Sequence, residues 1–241
     1  MTHTHSPGYH AVTFDFFNTL VHHRRGDGGR GRELMAYLGS VGLESDPWRH
    51  QVLYDVLEPH GREYSTGLAA PDRSVYLIRV AERVFRRLNV RAETATAADH
   101  ASAIWDILGP TSLRVFPEVP PLLGRLRAAG YRLAIVSNWQ CGLGHFCVEL
   151  GLGHAFEHVL ASAEVGSQKP SPEIFQEAFR RMGVAPERVL HVGDTPLDDL
   201  EGARNAGCRG VLIARGQIDD AAWEEAAIGS LDELEVVLAE R

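Results

Sequence analysis

Cysteine is scarce: the 241 residues contain three. Cys141, Cys147 and Cys208 cannot all pair with one another and have no Cys-x-x-Cys spacing. That excludes a disulfide framework and fits a reducing, cytoplasmic compartment. Positive charge is also in short supply. Lys plus Arg is 24 against 32 for Asp plus Glu, a net charge of −8, which disfavours a binder of phosphate backbones that draws its affinity from basic surface. No nucleic-acid partner is expected. No stretch reaches the roughly 18 apolar residues of a membrane span, and Met1 to His10 lacks the basic-then-apolar layout of a secretory leader. The expectation is a cytoplasmic chain with no membrane partner. His3, His5 and His10 read as a polar tail and not as a metal tract.

Apolar residues make up 44% and charged residues 23%, ordinary values for a folded globular chain and too apolar for disorder. The first strong signal is the run His10-Ala-Val-Thr-Phe-Asp15, read as a buried strand that delivers a carboxylate at its end. From about Val21 to Leu108 the spacing becomes helical, over Arg32–Leu43, Pro47–Tyr64, Ser74–Leu88 and Ala98–Leu108, with Gly, Pro and Asp between. After Pro110 strands and helices alternate. Helices are expected over Val119–Ala129, Leu143–Leu150, Pro172–Met182, Leu197–Ala206 and Leu231–Glu240. Strands are expected over Tyr131–Ser137, His158–Leu160, Val189–Val192 and Gly210–Ile213.

Strands separated by helices of about ten residues imply right-handed crossovers and a parallel sheet. The fold class expected is α/β, a Rossmann-like parallel sheet with helices on both faces, into which an all-helical domain is inserted. Residues 1–20 and 110–241 would form the sheet core and residues 21–109 the insert. In such sheets ligands bind beyond the carboxyl ends of the strands, which nominates Asp15, Ser137, Asn138, Gly193 and Asp194.

Four motifs stand in order along the chain. Asp15 precedes Phe-Phe-Asn-Thr-Leu, Ser137 ends Leu-Ala-Ile-Val, Lys169 leads Pro-Ser-Pro-Glu-Ile-Phe, and Gly193-Asp194-Thr-Pro-Leu-Asp-Asp199 precedes Leu-Glu-Gly-Ala. Taken together they resemble the haloacid dehalogenase-like hydrolase superfamily from about Tyr9 to Arg215, and the insert resembles that family's helical cap. The resemblance implies that Asp15 is a nucleophile, that Ser137 and Lys169 hold a phosphoryl group, and that Asn138 and Thr19 bind substrate. It also implies a Mg²⁺ site built from Asp15, the Phe17 carbonyl, Asp194 and Asp199. The substrate expected is a small phosphorylated molecule.

The chemistry suits these residue types. A carboxylate that attacks phosphorus splits one hard hydrolysis into two easier displacements, and cations must cancel its repulsion of the phosphate. Mg²⁺ takes hard oxygen ligands and keeps several waters. A serine hydroxyl and a lysine ammonium stabilise the phosphoryl oxygens as charge shifts. Singly, each residue has an ordinary reading as well: Ser137 as a helix cap, Lys169 as a surface lysine before a proline turn, and Asp194, Asp198 and Asp199 as caps of the following helix. Family spacing selects Asp199 over Asp198 as the second acid of the last motif.

One position departs from the family's phosphatases, where the residue two after the nucleophile is a second Asp that protonates the leaving oxygen. Here it is Phe17. General acid and base help is worth about 10²- to 10⁴-fold. An aromatic residue at this place resembles the family's haloacid dehalogenases, which attack carbon and need no metal, but those replace the Gly-Asp metal motif that is intact here. Three readings follow: a phosphatase, a carbon–halogen hydrolase, and a module that binds a phosphorylated ligand without turnover. His22 and His23 could titrate near neutrality or form a polar hinge. Arg24, Arg25, Arg30 and Arg32, in a glycine-rich segment, could recruit an anion or be a solvated hinge, and Trp139 could line a pocket or cover a core edge.

Overall fold

Residues 8–24, 29–43, 73–90, 94–139, 142–215 and 227–239 are described by a computed structural model. The expected helix Pro47–Tyr64 lies outside them, as do His3, His5, Arg25 and Cys141.

The strands are β1 (Ala11–Phe14), β2 (Val21–His23), β3 (Leu113–Val115), β4 (Arg132–Ser137), β5 (His158–Ala161), β6 (Val189–Gly193), β7 (Arg209–Ile213) and β8 (Ala227–Ile228). Six of them form one parallel sheet in the order β5-β4-β1-β6-β7-β8. β1 is flanked on both sides: Ala11–Phe14 run in register with Arg132–Ile135 of β4 and with Val189–Val192 of β6. The chain winds outward from β1 through β4 to β5, then returns to the other side of β1 with β6. That reversal makes the carboxyl ends of β1 and β6 the topological switch point, the usual ligand position in open parallel sheets.

The central strands are buried on both faces, which is why they read as continuous apolar runs. On one face Ala11, Ala134, Val136, Leu160 and Val189 pack with Ile174, Phe175, Ala178, Phe179 and Met182 of the helix Pro172–Met182. Alternation sends Val12, Phe14, Leu133 and Ile135 to the opposite face, where they are equally buried. The helix Val119–Ala128 buries Val119, Leu122, Leu123 and Leu126, and Arg125 joins it to Glu235 of the last helix, Leu234–Ala239, at 2.8 Å.

The chain divides into two compact units. One takes the described residues of Met1–Val21, Val115–Asn138 and Gly151–Arg241, and the other those of His22–Arg114 and Trp139–Leu150. The second unit contains the helices Gly29–Ser40, Arg73–Arg87, Thr94–Leu108 and Leu143–Glu149. Its contacts include a half-buried Tyr37–His100 hydrogen bond of 2.6 Å and an edge-to-face contact of Trp105 with Phe146. The described residues of Trp139–Leu150 group with this unit. A short ribbon of β2 and β3 was not foreseen. Its three-residue strands are too short to show a period. No helix among the described residues is long and apolar enough to cross a membrane.

Candidate active site

Every residue of the site sits at the carboxyl edge of the sheet or just beyond it. Asp15 follows β1, Ser137 closes β4, Gly193 closes β6 and Asp194 follows it, while Lys169 lies on the segment between β5 and the helix Pro172–Met182. Asp15, Ser137, Lys169 and Asp199 are all buried. The Asp15 amide donates to Val192 O at 2.8 Å, extending the β1–β6 pairing to the carboxylate residue itself.

The Asp15 carboxylate is held by one oxygen. Oδ1 accepts from Ser137 Oγ at 2.9 Å and from Lys169 Nζ at 2.6 Å, and Oδ2 accepts from none of the described residues. Ser137 thus spends its hydroxyl on Asp15; the cap position of the next helix belongs to Gly142. Lys169 is equally far from a surface lysine. Its ammonium also donates to Asp199 Oδ1 at 2.5 Å, and its backbone is fastened to Asn138, whose Oδ1 accepts from Lys169 N at 2.7 Å and whose Nδ2 donates to Lys169 O at 3.0 Å. The same Nδ2 donates to Asp198 Oδ2 at 3.2 Å. Asn138 therefore holds the two loops together from within the protein.

Asp199 is enclosed by protein donors. Beyond Lys169, its Oδ1 accepts from His191 Nε2 at 3.0 Å and its Oδ2 from the Thr195 amide at 2.9 Å. The backbone opens to admit it: the expected helix Leu197–Ala206 begins with a π-helical turn, Pro196–Glu201, before α-helix Gly202–Asn205. Such wide turns recur at functional sites. Gly193 is required for the same reason, because a Cβ there would lie 2.1 Å from Asp199 Cγ.

His191, from the middle of β6, was not nominated from sequence. It is fully buried, with Nδ1 2.9 Å from Thr13 Oγ1 and its ring edge-to-face with Phe175. Burial lowers its pKa against the pull of Asp199, so the neutral ring donates from Nε2 to the carboxylate and accepts the Thr13 hydroxyl at Nδ1. The signal available was a histidine inside the apolar run Val189-Leu-His-Val192.

Charge in this cluster is unbalanced. Burial alone would raise Asp199, but the Lys169 charge and the His191 and Lys169 hydrogen bonds bring it well below the usual carboxylate range. Burial would lower Lys169, yet Asp15 and Asp199 together drive it above its ordinary value. For Asp15 burial dominates, with repulsion from Asp199 adding to it, and the pKa rises despite Lys169 and Ser137. Asp194 is pushed up to about 6 by burial and by the charges of Asp15 and Asp199, with some relief from an Asn18 hydrogen bond. Three carboxylates thus face one ammonium. No set of three or more His, Cys, Asp or Glu side chains among the described residues is arranged to hold a metal ion by itself.

Of the other nominated residues, Phe17 is half-buried and its backbone bridges to Val21. Thr19 is fully buried, and its hydroxyl has no hydrogen-bond partner among the described residues. His22 and Trp139 belong to the helical unit, as does Arg24, which pairs with Glu33 at 2.7 Å.

A family model described as haloacid dehalogenase-like hydrolase matches residues 9–207. A glyceraldehyde 3-phosphate phosphatase of Methanopyrus kandleri is 32% identical over 87% of this chain and 86% of its own. A phosphoserine phosphatase of Thermus thermophilus is 36% identical over 80% and 78%. Among solved structures, a 2-haloacid dehalogenase from Pseudomonas syringae pv. tomato superposes with a TM-score of 0.63, at 26% identity over 96% of this chain and 98% of that one.

Proposed function

The chain belongs to the haloacid dehalogenase-like hydrolase family, and from that premise we propose that it is a Mg²⁺-dependent phosphatase acting on a small phosphorylated metabolite through an aspartyl-phosphate on Asp15. The observation that carries this reading is the Asp15 carboxylate, oriented through Oδ1 by Ser137 and Lys169 while Oδ2 is left for attack. Asp15 Oδ2 forms a bond to phosphorus as the bond to the leaving oxygen breaks. Water then attacks the phosphorus of the acyl phosphate, releasing inorganic phosphate and restoring the carboxylate. Ser137 and Lys169 lie where they can turn their donors to the phosphoryl oxygens as charge moves onto them.

Asp15 and Asp194, with the Phe17 carbonyl, would hold the cation; Asp199, expected from sequence to join them, has both oxygens engaged by Lys169, His191 and the Thr195 amide and would instead contribute charge from behind through Lys169. When bound, Mg²⁺ supplies charge neutralisation at the phosphoryl oxygens. The excess of carboxylates over ammonium groups in the cluster supports this. Phe17 offers no proton to the leaving oxygen, so the reading favours substrates with readily expelled leaving groups. Residues 21–109 are taken as the substrate-selecting cap, and the cytoplasm as the compartment.

The carbon–halogen alternative draws on Phe17 and on the dehalogenase likeness. Against it stand the Asp194 carboxylate, half-buried in the field of Asp15 and Asp199 where a cation would relieve the repulsion, and the phosphatase names of the two curated relatives. The test is release of phosphate from p-nitrophenyl phosphate and a panel of sugar, amino-acid and triose phosphates, with and without Mg²⁺. Mg²⁺-dependent release that Asp15→Asn abolishes supports the reading. Metal-independent halide release from a 2-haloacid, without phosphate release, overturns it.

A further inference from the structure

Beyond the four motifs, a single arginine past the end of β7 gathers the turn that follows Asp15. Arg215 Nε donates to Asn18 O at 3.0 Å and Nη2 donates to Thr19 O at 2.7 Å. The third nitrogen, Nη1, donates to Glu118 Oε1 at 2.5 Å, and the guanidinium carbon lies 3.3 Å from the centroid of the Phe116 ring. The fork is therefore fixed from behind by an acid and an aromatic face while its other two arms reach consecutive carbonyls. The next carbonyl, Leu20 O, accepts from Phe116 N at 3.0 Å. Carbonyls 18 to 20 are thus all tied to the segment 116–118 and to Arg215.

The turn itself is tight. Asn18 sits at φ 56°, a left-handed conformation that asparagine tolerates better than most residues. Its amide donates to Val21 O at 2.7 Å, and the amides of Leu20 and Val21 both donate to Phe16 O. One end of the turn is the nucleophile and the other end is gripped by Arg215.

We propose that Arg215 is a positioning residue: by holding the Asn18 and Thr19 carbonyls it sets the turn after Asp15, and with it the placement of the nucleophile. This rests on the phosphatase reading for its kinetic consequence but not for its structural one. Misplacement of reacting groups by about 1 Å can cost about 10²-fold in rate, whereas the phosphoryl-binding groups Ser137 and Lys169 come from other loops and stay in place.

The test compares Arg215→Met, Arg215→Lys and Glu118→Gln with the wild-type full chain in Mg²⁺, by hydrogen–deuterium exchange and by kinetics on p-nitrophenyl phosphate. In Arg215→Met the amides of Asn18, Leu20 and Val21 are expected to exchange at least about tenfold faster while those of β4 and β6 keep their rates. kcat is expected to fall about 10- to 100-fold with KM changed less than about threefold. Arg215→Lys restores part of both effects, because an ammonium reaches one carbonyl and not the pair. Glu118→Gln, which leaves the arginine but frees its far end, shows a smaller loss of the same kind. Should Arg215→Met fail to fold, the other two variants decide by the same criterion. Turn amides that keep the wild-type rate, or a loosened turn with unchanged kcat, overturn the proposal. If the wild type releases no phosphate, the phosphatase reading fails alone and exchange still decides whether Arg215 sets the turn.

Discussion

Replacing Lys169 by Met removes the ammonium that, among the described residues, sits between the buried carboxylates of Asp15 and Asp199, while keeping the shape of the side chain. The ammonium lies 2.6 Å from Asp15 Oδ1 and 2.5 Å from Asp199 Oδ1, so at an effective dielectric near 20 each contact is worth about 6 kcal/mol before desolvation. Desolvating the lysine offsets much of this, and breaking a buried ion pair from one side typically costs about 3–5 kcal/mol. The expected loss at pH 7.5 is therefore about 3–5 kcal/mol. Its pH dependence follows from the shifts. Lys169 is raised, so its contribution is complete below the unfolded lysine pKa of about 10.4 and is constant across the neutral range. Asp199 is depressed in the wild type, so its contribution is present above about 3.9 and lost only in strong acid. Without Lys169 the facing carboxylates rise instead, and the variant takes up a proton as pH falls. Each pH step below the raised value then returns about 1.4 kcal/mol. Urea unfolding followed by circular dichroism, with midpoints and slopes compared at pH 7.5 and 5.0, should show a deficit that narrows in acid. A deficit under about 1 kcal/mol at pH 7.5, or one that widens in acid, would refute the reasoning.

Other outcomes follow from the same geometry. His191→Leu removes the Nε2 donor to Asp199 and strands the buried Thr13 hydroxyl, so it should cost about 2–3 kcal/mol in urea unfolding, and Thr13→Val added to it should recover part of that loss. Phe17→Asp should raise kcat for alkyl phosphates by about 10²-fold while changing p-nitrophenyl phosphate, whose leaving group needs no proton, far less. Asp194, raised to about 6, is held in its charged form at a cost that a cation relieves; Mg²⁺ should therefore raise Tm at pH 7.5, the increment should shrink as pH falls through about 6 and protons replace the cation, and Asp194→Asn should abolish it.

The sheet was legible because its strands are buried on both faces and punctuated by glycine and proline. Tyr131–Ser137, Val189–Val192 and Gly210–Ile213 each match a strand to within one or two residues, and the helix Pro172–Met182 matches at both ends. β8, with two residues, is too short to carry a pattern. The helix read over Leu197–Ala206 loses its first turn to a π-turn because Asp199 is drawn inward to Lys169 and His191, a long-range demand that local periodicity does not record. The same holds for the site. Asp15, Ser137 and Asp194 announce themselves as polar residues at the ends of apolar runs, whereas Lys169 is read from the motif Lys-Pro-Ser-Pro-Glu-Ile-Phe that it leads. Thr13 and His191 lie inside strands, and Arg215 follows one, so their parts appear only when β1, β6 and β7 are side by side.

The central claim is that Asp15 carries the phosphoryl group during turnover. Acid quenching of the enzyme with p-nitrophenyl phosphate and Mg²⁺, followed by mass spectrometry of the peptide containing Asp15, should find the added mass of one phosphoryl group on Asp15, absent from Asp15→Asn. Brisk turnover with no phosphoryl group on that peptide, or turnover that survives Asp15→Asn, would contradict the account.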